Sequence, residues 1–267
     1  MKSLLTCLAA AWIALASMQA HGHPPANSPA AYMEAAAKMD QRIAQRSAEG
    51  GMPRITEPET SALIDVLSDS HQFLESRTYT VDNMGELMEI CGQANRVSMA
   101  YALSGLKERI ATQRTTDDIA RQMTMLMEEN VLSFQPELEQ LHPFLLRCLA
   151  KEVQPLTAFM ATLPPQELTP TRLAGLNQFR GGLLNSYSGH LISAGNPALR
   201  PSYRRQVLRA MAESSPAFAS ALQRPTRQQI AQIATNLIHD APAESRADIE
   251  AIIKAMSTPD CTGLCAY

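Results

Sequence analysis

Few residues in this chain combine the types and spacing that chemistry requires. The most unusual stretch is Gly181-Gly182 followed by Tyr187, Gly189 and His190. Flanking Leu173, Leu176, Leu183, Leu184 and Leu191 keep a helical period, so the glycines fall inside a helix. Two adjacent glycines there cost about 2 kcal/mol relative to alanine. Such a cost asks for an offset: close packing of a neighbouring helix, a kink, or a ligand lying on the backbone. Tyr187 and His190 share a helix face. From there they could serve as an acid/base pair, as in a hydrolase, or orient a ligand in a cleft. The plainer alternative is that the glycines admit a neighbouring helix and His190 makes a structural hydrogen bond. Gly181, Gly182, Tyr187 and His190 are the candidate binding residues, with Tyr187 and His190 the candidate catalytic pair.

A second constellation is soft. Met123 and Met127 face one way on a helix, Met84 and Met88 repeat their spacing, and spaced thioethers suit Cu(I). Core filling explains both pairs without a metal. His21-Gly22-His23 is a third. With a new N-terminus at His21, the α-amine, the amides of Gly22 and His23 and the His23 imidazole offer the planar nitrogen set preferred by Cu(II) and Ni(II). Copper is thus the one cofactor the residues suggest. His71, His142 and His239 share no metal-ligand spacing. The chain has no G-x-S-x-G, H-E-x-x-H, C-x-x-C, phosphate-binding loop or dinucleotide glycine pattern, which lowers the prior for an enzyme.

The N-terminal residues read as an export signal, with Lys2 before an apolar run over residues 4–16, too short to span a bilayer. Ala16, Ala20 and Gly22 are possible cleavage points, and residues 1–20 are taken as the signal. Cleavage removes Cys7 and leaves Cys91, Cys148, Cys261 and Cys265, an even set suited to disulfides in a periplasmic or secreted protein. Cys91 and Cys148 fall on the apolar stripes of separate helices, while Cys261 and Cys265 flank Gly263. The expected bridges are therefore Cys91–Cys148 and Cys261–Cys265, the alternative being a tail clamped to the body through either terminal cysteine. The chain lacks a glycosylation sequon, which mildly favours a bacterial periplasm. A net charge of -3 supplies no basic field for nucleic acid, and Arg204, Arg205 and Arg209 read as a solvated helix face. No later segment is long and apolar enough for a stable membrane span.

The elements that must position these residues are helices. Ala, Leu and Met abound while aromatics make up 5% of the chain, a mix that favours the α state. Ser28-Pro29 starts a helix that Gly50-Gly51 ends, with a thin apolar side of Tyr32, Ala36, Met39 and Ile43. Thr56-Glu57-Pro58-Glu59 reads as a capping box. A long helix is expected over residues 83–110, and another begins at Thr116. Pro136, Pro143 and Pro155 read as helix starts or kinks. Residues 144–163 can be laid over residues 203–222 as a faint repeat, which would imply stacked helical layers. Only residues 77–81 have strand-like chemistry.

The expected fold is all-α, an array of nine or ten packed antiparallel helices without significant sheet. Residues 21–57 form a tether and a loosely docked first helix, residues 58–256 the body with a soft boundary near Pro164-Pro165, and residues 257–267 a Cys-containing tail. The leading functional expectation is a non-enzymatic binding or accessory protein that holds a peptide, protein or apolar ligand in an inter-helix groove. The alternatives are a hydrolase with a cleft at Tyr187 and His190, and a copper-handling protein.

Overall fold

The computed structural model describes residues 28–111, 115–258, 261 and 263–267; the expected signal and His21-Gly22-His23 lie outside them. The described residues form ten α-helices and no strand: α1 (Pro29–Ala48), α2 (Pro58–Leu67), α3 (Met84–Ala102), α4 (Leu106–Ile110), α5 (Thr116–Ser133), α6 (Gln135–Thr162), α7 (Pro170–Gly195), α8 (Pro201–Ala221), α9 (Arg224–Leu237) and α10 (Arg246–Met256). Proline stands in the first two positions of six of them, where a missing N–H costs nothing. Ser28 caps α1, its hydroxyl accepting from the Ala31 amide at 3.1 Å.

Several local expectations change. The helix over residues 83–110 breaks after Ala102, where Gly105 at φ +78° turns the chain into α4. Pro143 and Pro155 start no helix: both lie inside the single helix α6. Thr56 forms no capping box. Glu57 is the N-cap of α2 and accepts instead from Arg42 and Arg46 of α1, at 2.6 and 2.7 Å. The Arg42 guanidinium above all holds the Glu57 carboxyl below its ordinary pKa. Residues 77–81 are irregular, with the buried Tyr79 hydroxyl donating to the Phe73 carbonyl at 2.6 Å.

The first helix is not loosely docked. Its apolar side is thin, yet Tyr32, Ala36 and Met39 are fully buried. The Tyr32 ring meets Phe73 edge-on and stacks on Phe144, and its hydroxyl donates to the Leu67 carbonyl. One apolar core runs from Tyr32 to Leu264 across Pro164-Pro165. The disulfide Cys91–Cys148 joins α3 to α6 within it, with Cα atoms 5.5 Å apart, and Cys261–Cys265 closes the tail.

Neighbouring helices α1 and α2, and α7 and α8, run antiparallel, but α6 and α8 run parallel. Gln135 accepts from the Arg200 amide, Glu139 from Ser202 and Gln206, and Arg147 donates to Glu213, so residue numbers rise together along the contact. The intervening α7 returns the chain to the end at which α6 began. This geometry is what stacked layers require.

Buried cations close the helix ends. Arg204 donates from Nε to the Ala194 carbonyl in the last turn of α7 at 2.7 Å and from Nη2 to the Asp240 carbonyl beyond α9. It is therefore buried rather than part of a solvated face. Arg180 donates from Nε to the Ala221 carbonyl ending α8 and from Nη2 to Leu264 and Tyr267 of the tail. Burial lowers the pKa of both guanidiniums. The tail is thus docked, and Gly263 owes its place to crowding: a Cβ there would meet the Ser220 carbonyl at 2.8 Å.

The two bridges should differ in worth. Closing 57 residues, Cys91–Cys148 should contribute about 4 kcal/mol by loop entropy, and the four-residue tail bridge about 2 kcal/mol. Urea unfolding of the two paired Cys→Ala variants, alongside non-reducing peptide mapping, measures this; equal losses would contradict the assignment.

Candidate functional site

Tyr187 and His190 share a face of α7, but that face is the interior. The Tyr187 hydroxyl donates to the Met211 carbonyl at 3.0 Å and shares a hydrogen bond with Ser215, and its ring lies against Phe218. Burial raises its pKa, so it stays protonated. His190 turns towards α6. Its Nδ1–H donates to the Ser186 carbonyl at 2.7 Å, which leaves Nε2 as an acceptor, sealed from solvent without a partner. Its ring stands edge-on to His142 at 4.5 Å, and His142 Nδ1 is hydrogen-bonded to the Tyr203 hydroxyl at 2.8 Å. Neither Tyr187 nor His190 lines the cleft between α3, α6 and α7 or the cleft between α8, α9 and α10.

The His142–His190 contact has a consequence for pH. Burial first, and the His190 charge second, hold the His142 pKa well below its ordinary value; burial also lowers that of His190. The unfolded chain therefore binds protons first as pH falls. Stability from this contact is complete above pH ~6.5 and is lost as pH drops towards the depressed folded values. The urea midpoint of wild type relative to that of His142→Gln should fall between pH 7.5 and 5, a difference in which the titration of other groups cancels.

Gly181 and Gly182 admit no neighbour: a Cβ at either would meet nothing within 4 Å, and Gly182 is exposed. Their helix cost is not offset by packing. Gly181→Ala and Gly182→Ala should each raise stability by about 1 kcal/mol in thermal melts; destabilisation by either would contradict this. Met127 is half-buried and Met123 is exposed on α5, whose buried residues are Leu126 and Asn130. No group of three or more His, Cys, Asp or Glu side chains among the described residues could hold a metal.

The more telling site lies elsewhere. A cleft of about 260 Å³ opens between the start of α3, the second half of α6 and the start of α7. Met84, Met88, Met160, Phe159 and Phe179 form much of its wall, with Glu152 among them. Burial pushes the Glu152 carboxyl up to about 8, and no neighbouring charge contributes. Arg172 at the rim is already paired with Glu167 at 2.7 Å. The result is an apolar recess holding a carboxyl that has no counter-ion among the described residues.

Sequence reading missed Glu152. The signal was present: Cys148, Glu152, Leu156 and Phe159 keep one helical stripe, and a carboxylate at an otherwise apolar position of that stripe is the anomaly. Met84 and Met88, noticed for their spacing, do line one opening, together with Met160 and not with Met123 or Met127.

No family model matches the chain, and neither a curated protein nor a solved structure matches it. Among the described residues no helix is long and apolar enough to cross a membrane.

Proposed function

We propose that this chain is an exported, non-enzymatic binding protein whose cleft between α3, α6 and α7 takes an apolar ligand or side chain ending in a cationic group. The observation that carries the reading is Glu152, a carboxyl without a counter-ion among the described residues, in a wall of Met and Phe. Apolar walls supply most of the affinity in such sites, and one polar group fixes orientation. Methionine thioethers adapt to ligands of varied shape and attract aromatic edges. A ligand cation supplies the charge that Glu152 lacks, because an opposite charge in a poorly solvated recess favours the ionised carboxylate. Export is supported by the signal-like N-terminus and agrees with the two disulfides.

The proton on Glu152 gives the test. In the empty cleft it is held up to a pH of about 8. A bound cation lowers that value, so binding near neutral pH releases a proton and affinity rises with pH. Calorimetry with octyltrimethylammonium, whose charge does not titrate, should show affinity rising towards tenfold per pH unit between pH 6 and 8, then levelling. In Glu152→Gln the pH dependence should vanish, and octanol and the ammonium compound should bind alike. Gly175 lines the cleft with open space before its Cβ position, so Gly175→Phe should block both ligands. Unaltered binding in Gly175→Phe would place the site elsewhere. The same carboxyl sets a stability trend: the unfolded group ionises first as pH rises from ~4.5 to 8, so stability declines over that range, and Glu152→Gln should melt higher than wild type at pH 8 but not at pH 4.

A further inference from the structure

Buried arginines recur in this fold, and one of them is unlike the others. Arg180 and Arg204 spend Nε and further donors on backbone carbonyls. Arg227, at the start of α9 and 2% exposed, makes a single hydrogen bond among the described residues, from Nη1 to the Thr258 carbonyl at 2.6 Å. Its Nε is closed off from solvent and has no acceptor. Neither Arg227 nor Lys254 of α10 has an ion-pair partner among the described residues. A buried cation with unused donors is costly unless something meets it.

Both cations line a cleft of about 410 Å³ between α8, α9 and α10. Its other walls are short and mostly apolar, including Pro216, Ala219, Ala251 and Ala255. With Nη1 committed to Thr258 and Nε sealed, Nη2–H is the donor of the guanidinium left to the cleft. A carboxylate oxygen accepting from it would make a charge-assisted hydrogen bond, about twice as strong as a neutral one. Lys254, exposed at the rim, adds a second positive charge.

We propose that this cleft is a second binding site, specific for a small carboxylate with a compact apolar body, the carboxylate lying on the Arg227 guanidinium and the body against the alanine wall. A carboxylate accepts from Nη2 while its apolar body covers the alanine wall, whereas inorganic phosphate leaves that wall without a contact. The site is separate from the Glu152 cleft, which selects the opposite charge.

The test is ligand-observed NMR with calorimetry on the full chain. The probes are benzoate and hexanoate, with inorganic phosphate, benzyl alcohol and butylammonium as comparisons. Benzoate and hexanoate should bind at least tenfold more tightly than phosphate or the neutral and cationic comparisons, and salt should weaken them. Arg227→Gln should abolish binding. Because that variant removes a buried group and can fail to fold, two exposed positions carry the test independently. Lys254→Ala should weaken binding about threefold or more, and Ala251→Phe should fill the cleft and abolish it. Asp260, two residues past Thr258, lies outside the described residues and is tested as a competing internal carboxylate by Asp260→Asn. Carboxylate binding that appears only in Asp260→Asn overturns the proposal, because the chain then supplies its own anion. Binding unchanged in Ala251→Phe, or phosphate as tight as benzoate, overturns it as well.

Discussion

The negative ends of the later helices need positive charge, and buried guanidiniums meet that need. An α-helix ends with carbonyls that have no intrahelical donor, and the aligned peptide dipoles concentrate negative potential there. The ends of α7 and α8 meet guanidinium donors inside the protein. Arg204 meets the end of α7 and the turn after α9, Arg180 meets the end of α8 and the tail, and Arg227 meets the segment after α10. Asn130 does the equivalent for α3, its amide donating to the carbonyls of Ala102 and Ser104. Each anchor joins helices distant in sequence, so the array is tied by polar contacts at its ends as well as by apolar contacts along its sides.

The two clefts follow from that arrangement. Because α7 returns the chain so that α8 lies parallel to α6, the array divides into two faces with different neighbours. On one, α3 is tied to α6 by the Cys91–Cys148 bridge, and the gap beside α7 is floored by Met160 and Glu152. On the other, α8 packs against α10, and the short side chains of Ala219, Ala251 and Ala255 leave space over Arg227 of α9. Among the described residues the first cleft holds one unpaired carboxyl, Glu152, and the second two unpaired cations, Arg227 and Lys254. The two proposed charge selectivities thus rest on local groups and not on the nearly neutral chain as a whole.

Much of the fold was legible because its signals are local. Proline at helix starts, Ser28 at a cap, helical apolar spacing and the cysteine stripes act over a few residues, so they survive reading in one dimension. Other features depend on partners far along the chain. Arg204 looked like one of three exposed arginines because its acceptors, Ala194 and Asp240, sit at the ends of other helices. Tyr187 and His190 were placed on one face correctly, but nothing local says that the face is turned inward against Met211, Ser215 and His142. Pro143 and Pro155 resemble breaks because a helix rarely contains them; here the packing of α6 against α3 and α8 overrides that preference. Glu152 left a trace only as a polar residue on an apolar stripe, and the burial that raises its pKa comes from α3 and α7.

The dependence on buried guanidiniums is measured most directly at Arg204. Equilibrium urea unfolding of Arg204→Met should show a loss on the order of 3 kcal/mol, because two carbonyls at helix ends lose charged donors in a buried setting. The adjacent, exposed Arg205→Met serves as reference and should stay within about 0.5 kcal/mol of wild type. An Arg204→Met midpoint equal to that of Arg205→Met would contradict the account.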